Sequence, residues 1–481
     1  MKVSEYATYD ATGLAALVAK KKVSPKELAK TAAKAIEALN PDLKAVVELY
    51  PDRIEDLDPK SLADGPFKGV PFLMKDVFGH EKGRKIEFGS ALCEGMIADA
   101  DTYYTTQIRA AGINIIGRSA APEYSMSGTT ENRFYGNTST PWKLGYSAGG
   151  SSGGAAAAVA SGMVPIAHGS DIGGSIRIPA SWCGGVGLKP SRGRVSVGPV
   201  VDEGGLGFSV NMVQTQTVRD AAAILDAVSN PQIGDPFVIP KPDKPYLKLL
   251  KKPQKYRIGL VHDEFFGVPT DPEVKATLKK TAKTLEKLGH DVDVVKVEFG
   301  GADFLTAMND LFFFGFNLRL DAYGKKTGRK PGPKTLEPVI HMLYEWSKEI
   351  TPARYFAALA AVNVARRKGS RIFATHDIML TPTTARPSEA WGKYHLSREG
   401  VTMDTFFTTL FAEPIQFTMP HNMMGTPAIS LPLAMHSTGV PIGIQLAGRP
   451  ATEHVLLNVA AQLEEEMPWK KRVPPMHASR L

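Results

Sequence analysis

The sequence predicts an α/β fold, on three observations. Residues 256–297 read as a β-α-β unit. Tyr256–Val261 is a strand, Asp271-Pro272 opens a helix ending at Gly289, and His290–Val297 alternates Val with Asp or Lys. Strand-like runs recur on both sides of that unit, separated by helical stretches. The chain is also 481 residues long and 43% hydrophobic, which fills one large core even though length alone allows roughly two to four domains.

Taken in order, two helices open the chain. One starts at Asp10, the other at Ser24-Pro25-Lys26-Glu27, where Ser and Glu suit a capping box and Pro the first helical position. Strands follow near Pro66–Lys75 and Gly112–Ile116. Gly153–Gly162 is alanine-rich and helical, and its small side chains let it lie close to neighbouring loops. Residues 230–255, rich in proline and lysine, form a surface connection ahead of the β-α-β unit. Residues 300–370 are helical and aromatic. Strands return near Ile378–Thr381, Ala428–Pro432 and Gly443–Ala447, and a helix from about Thr452 to Glu466 closes the fold. No internal repeat is present.

The chemistry concentrates in residues 145–191. Two glycine-flanked serine clusters stand there, Gly149-Gly150-Ser151-Ser152-Gly153-Gly154 and Gly173-Gly174-Ser175. Glycine lets backbone N–H groups approach a ligand, and a serine hydroxyl can act as nucleophile or proton shuttle. A flexible linker has the same composition, but a linker does not carry Ala155–Ala160 or Val164-Pro165-Ile166. Lys75 is the partner of interest. Every residue from Val70 to Met74 is apolar or proline, so Lys75 is expected in a buried setting that disfavours its charged form and makes it a usable base.

The glycine–serine segment resembles the amidase signature of serine hydrolases that use a Ser–Ser–Lys triad. Further motifs resemble the same family in the same order: Gly69-Val70-Pro71-Phe72-Leu73-Met74-Lys75-Asp76, Thr129-Thr130-Glu131-Asn132, Asn137–Trp142, Leu380-Thr381-Pro382-Thr383 and Asn422–Pro432. The resemblance covers most of the chain and is weakest over 300–415. It implies a large mixed sheet between helical layers, with 1–481 as one catalytic domain. Within that domain 65–200 would be the catalytic core segment and 300–415 a variable, substrate-shaping helical region. By resemblance Lys75 is the base, Ser151 the bridging serine, preceded by a cis Gly150–Ser151 peptide, and Ser175 the nucleophile. The N–H groups of Ile172, Gly173, Gly174 and Ser175 would form the oxyanion hole, and backbone at Met126, Ser127, Gly128 and Thr129 would face the substrate.

The branch this chain looks most like contains nylon-oligomer hydrolases and bacterial urethanases, on Pro165-Ile166-Ala167-His168-Gly169 and Pro474-Pro475-Met476-His477-Ala478. The implied substrate is an apolar small-molecule amide or carbamate. Residues 300–425 offer many aromatics and methionines, Phe312–Phe314, Phe316, Tyr344, Trp346, Trp391, Tyr394, Phe406, Phe407, Met419, Met423 and Met424; many of these are expected in ordinary core and some lining a large apolar pocket. The alternative is the glutamine-hydrolysing A subunit of a glutamyl-tRNA(Gln) amidotransferase, which needs partner subunits and a polar pocket. No cofactor is implied, and a homodimer is compatible with the sequence.

Other function classes lose ground on composition. The net charge of +8 comes from scattered clusters such as Lys20-Lys21-Lys22, Lys251-Lys252 and Lys470-Lys471-Arg472, without interleaved aromatics, so no nucleic-acid partner is expected. No uninterrupted apolar run is long enough to span a membrane, and MKVSEYATYDATG has no apolar signal region. Two cysteines, Cys93 and Cys183, fit a reduced cytoplasm and read as small buried residues. Gly112–Ser119 nearly matches a phosphate loop, but Arg118 stands where lysine is needed. Gly149–Gly153 satisfies a nucleophile-elbow pattern, but that motif needs an apolar strand immediately before it and Trp142–Ala148 is not one. The eleven histidines show no metal-ligand spacing, and His168 is expected to be structural. Asp171 and Arg177 are expected to form a salt bridge holding the Gly-Gly-Ser turn.

Overall fold

The computed structural model describes residues 1–199, 204–300 and 302–481. The first strands in chain order are β1 (Val46–Leu49), β2 (Pro71–Lys75), β3 (Asn114–Ser119), β4 (Ser139–Thr140) and β5 (Lys143–Ser147). Next come β6 (Ile166–Asp171), β7 (Val186–Lys189), β8 (Val210–Thr215), β9 (Arg257–Leu260) and β10 (Asp291–Val294). The last are β11 (Ile378–Pro382), β12 (Ala428–Met435) and β13 (Pro441–Gly448). β4 and β5 pair with each other, and the rest form one 11-stranded sheet in the order β1-β3-β2-β6-β8-β7-β12-β13-β11-β9-β10. The sheet is mixed: β2 runs parallel to β3 and β6, β6 antiparallel to β8, and β9 parallel to β10 and β11. This is the predicted α/β class.

Every residue of β2, β3, β6 and β8 is buried, as strands covered on both faces must be. β10 ends the sheet with mostly exposed side chains, and its Asp291 and Asp293 make that edge unattractive to another strand. The alanine-rich helix Gly153–Ala160 is buried along its whole length. In the second half, helices Ala302–Phe313, Phe316–Thr327, Pro338–Ser347 and Pro352–Gly369 join Met403–Leu410 and Met419–Met424 in two further apolar clusters. Among the described residues no helix is long and apolar enough to cross a membrane.

Several expectations need correction. A four-residue helix, Val3–Tyr6, precedes the two predicted ones, and its single turn is too short for periodicity to reveal. Asp10 caps the next helix by accepting the Gly13 N–H at 2.9 Å. Ser24 accepts the Glu27 N–H at 3.1 Å, but the Glu27 carboxylate pairs with the Met1 amino group, so only half of the capping box forms. The strand expected over Pro66–Lys75 starts at Pro71, because Val70 N–H closes a turn onto the Phe67 carbonyl at 3.0 Å. β3 lies two residues beyond the expected Gly112–Ile116 at its start and continues through Gly117-Arg118-Ser119. β1, β4, β5, β6, β7 and β8 escaped the sequence reading. Four of the six residues of β6 are histidine, glycine, serine and aspartate, and burial on both faces overrides its poor strand propensity.

Candidate active site

The parallel pairing of β2 and β6 assembles the centre. Phe72 sits beside Ile166 and Leu73 beside Ala167, so Lys75 at the end of β2 comes alongside the last residues of β6. Binding sites in open α/β sheets form at such carboxyl ends. Lys75 is fully buried, and its Nζ lies 2.8 Å from Ser151 Oγ and 2.9 Å from Ser170 Oγ. Burial lowers its pKa to about 7, with the Asp171 charge opposing the shift. Ser170 was not foreseen: within Gly169-Ser170-Asp171 it reads as one more residue before the glycine turn.

The Gly150–Ser151 peptide is cis, as expected. Gly174 has φ +140°, and a side chain there would collide with Thr418, so glycine is required. Asp171 holds this turn. Its carboxylate accepts the Gly174 N–H at 2.8 Å and the Ile176 N–H at 3.2 Å, and Arg177 grips both oxygens at 3.0 Å. Arg177 also donates to the Thr418 carbonyl, Gln445 and Asn422, and the Thr418 hydroxyl donates to the Gly173 carbonyl at 2.7 Å. Burial alone would raise the Asp171 pKa, but Arg177 outweighs it and holds the carboxyl near 2. The expected salt bridge is therefore the hub of a larger clamp.

Of the four N–H groups expected to bind an oxyanion, that of Gly174 is engaged by Asp171. Those of Ile172, Gly173 and Ser175 make no hydrogen bond among the described residues. The Ser175 hydroxyl likewise has no hydrogen-bond partner among them and opens into a cavity of about 190 Å³.

That cavity is largely apolar. Phe312, Phe313, Phe406, Phe407 and Met419 line it, as the aromatic richness of 300–425 suggested. Phe314 is exposed instead, and Phe316, Tyr344, Trp346, Trp391, Tyr394, Met423 and Met424 do not line it; Phe316 packs behind it against Phe313 and Tyr124. An aromatic wall from earlier in the chain, Phe78, Phe88 and Tyr124, was missed because nothing local distinguishes it from core. Of the residues expected to face the substrate, Met126, Ser127 and Gly128 border the cavity, whereas Thr129 is fully buried behind them, its hydroxyl 3.3 Å from that of Ser127. Ser125, also unforeseen, lines the cavity with its buried hydroxyl unpartnered.

Supporting residues explain the decoys. Arg118 is buried in ion pairs with Glu48, Asp76 and Glu87. Asp76 further accepts the N–H groups of Glu87 and Gly89 at 2.9 Å, pinning the loop that presents Phe88. His168 accepts the Lys75 backbone N–H at 3.4 Å through Nδ1 and faces Asn211 at 3.2 Å through Nε2. Burial and the adjacent Lys75 depress its pKa to about 3, so it stays neutral. Cys93 and Cys183 are free and buried, their thiols pushed up to about 12 by burial, far from thiolate chemistry.

Comparison with known proteins places the chain in a family. A family model described as Amidase matches residues 27–457. The 6-aminohexanoate-cyclic-dimer hydrolase of Paenarthrobacter ureafaciens is 36% identical, over 97% of this chain and 96% of its own length. A solved structure of a 6-aminohexanoate cyclic dimer hydrolase complexed with substrate superposes with a TM-score of 0.93 at 34% identity, covering 98% of this chain and 99% of that one. A bacterial aryl acylamidase superposes with a TM-score of 0.85 at 26% identity, over 96% and 97% of the two chains. The chain belongs to the amidase signature family and is an amide-hydrolysing enzyme.

Proposed function

We propose that this amidase cleaves apolar small-molecule amides or carbamates, of the aryl acylamide, oligoamide or urethane type, through an acyl-enzyme on Ser175. The observation that carries the reading is the buried Lys75 Nζ, 2.8 Å from Ser151 Oγ, behind a serine that opens into an apolar cavity. A lysine with its pKa near 7 is substantially neutral at working pH, and its lone pair can take the Ser151 proton. Ser151 in turn draws the proton of Ser175 as substrate seats, since catalytic hydrogen bonds commonly tighten only in the complex. Ser175 Oγ attacks the carbonyl, and the free N–H groups of Ile172, Gly173 and Ser175 receive the oxyanion, each worth about 3 kcal/mol in other hydrolases. Ser151 returns the proton to the leaving nitrogen, the C–N bond breaks, and water releases the acid by the reverse relay. The names of the relatives, an oligoamide hydrolase and an aryl acylamidase, support the substrate class.

Amine release from an aryl anilide, an aryl-diamine carbamate, an aminohexanoate oligomer and glutamine tests this, with Ser175→Ala beside the unmodified enzyme. The expected result is turnover among the first three, falling by about 10⁴-fold or more in the variant. Turnover of glutamine alone would favour the amidotransferase-subunit reading, which the scarcity of polar groups in the cavity opposes.

A further inference from the structure

Among the described residues that line the cavity, one carries a charge at neutral pH. Among its described lining residues there is no aspartate, glutamate or lysine, and only His80 and Arg319 are basic. Burial holds the His80 pKa near 4, so its ring is uncharged at neutral pH. Arg319 is solvent-exposed while still lining the cavity, which places it at the mouth, opposite in character to the apolar interior. It projects from helix Phe316–Thr327, its guanidinium 5.2 Å from the centre of the Phe316 ring.

Among the described residues its side chain has no ion pair or hydrogen bond. Other arginines of this region are matched, Arg329 with Glu94 and Arg354 with Asp310. The nearest acidic residue on the same helix, Asp321, already accepts the Tyr344 hydroxyl at 2.8 Å. A planar cation against an aromatic face is preorganised for a carboxylate and would repel an ammonium.

Resting on the amidase reading above, we propose that Arg319 recognises a carboxylate at the end of the substrate remote from the scissile bond. The preferred amides then carry an apolar spacer between the reacting carbonyl or nitrogen and that terminal carboxylate, the spacer lying against the aromatic wall. Substrates ending in an ammonium at the same position are selected against.

Two matched series of anilides test this. One ends the acyl chain in methyl, carboxylate or ammonium (hexanoyl, adipoyl and 6-aminohexanoyl anilide). The other places methyl, carboxylate or aminomethyl on the ring of the leaving aniline. In one of the series the enzyme should favour the carboxylate member over the ammonium member in kcat/KM. Arg319→Gln should cut that preference about tenfold, Arg319→Glu should invert it, and Arg319→Lys should keep most of it. High salt should erode the preference of the unmodified enzyme, because the pair is exposed. The ratio is read against the neutral anilide on the same preparation, so loss of folded protein cancels. Turnover of neutral anilides with no carboxylate preference, or with ratios unchanged in Arg319→Gln and Arg319→Glu, overturns the assignment while leaving the amidase reading intact. Silence on every neutral anilide overturns both.

Discussion

At the scale of single residues, Lys75 carries the heaviest demands. Its ammonium would be useless as a base, and burial lowers its pKa to about 7. The rate constant kcat/KM should therefore rise with pH and level off above a midpoint near 7. A flat profile between pH 5 and about 8 would show that another group is the base. The same shift has a stability consequence. Between about 7 and the ordinary lysine value of 10.5, the unfolded chain binds a proton that the folded chain does not. Stability then rises with pH across that window, and at neutral pH Lys75 is a burden on the fold. Lys75→Met should abolish activity yet raise Tm, by about 2–4 °C on a calorimetric scan at pH 7. A lower Tm would mean that the bonds to Ser151 and Ser170 outweigh desolvation. Lys75 was legible in the sequence because five apolar or proline residues precede it. Ser170 and Ser125 were not, since a serine's role depends on which strand end or cavity it meets.

At the scale of elements, the Gly-Gly-Ser turn is the part whose shape the chemistry needs, and it is tied from outside. Asp171 and Arg177 lock it to Thr418, Asn422 and Gln445, bringing the two halves of the chain together at one point. Both side chains are fully buried, so removing one strands the other's charge. Asp171→Ala should cost about 3–5 kcal/mol of stability and lose most of kcat, even where protein folds at low temperature. Wild-type Tm and kcat in that variant would refute the clamp. The strands and helices with strong periodicity, such as Pro272–Lys287 and Glu453–Glu466, could be read locally within two residues. β6 and the helix Arg177–Cys183 could not, because their residues were chosen for the turn between them rather than for propensity.

At the scale of the molecule, the proposed catalytic residues come from the first half of the chain, and much of the cavity wall comes from helices of the second. The first half was legible because reactive geometry constrains residue identity at fixed positions. The second was legible only as composition: an aromatic facing the cavity, like Phe407, and one facing solvent, like Phe314, look alike until the helices dock. The proposed relay, from Lys75 through Ser151 to Ser175, ends where the first half opens into the cavity that the second half walls. The most direct measurement is peptide mass spectrometry after acid quench of a slow-turnover aryl ester or carbamate. An acyl mass on Ser175 that is lost in Ser175→Ala is the expected result, with accumulation slowed in Ser151→Ala and Lys75→Met. An acyl group on another residue, or rapid turnover in Ser175→Ala with no adduct, would contradict it.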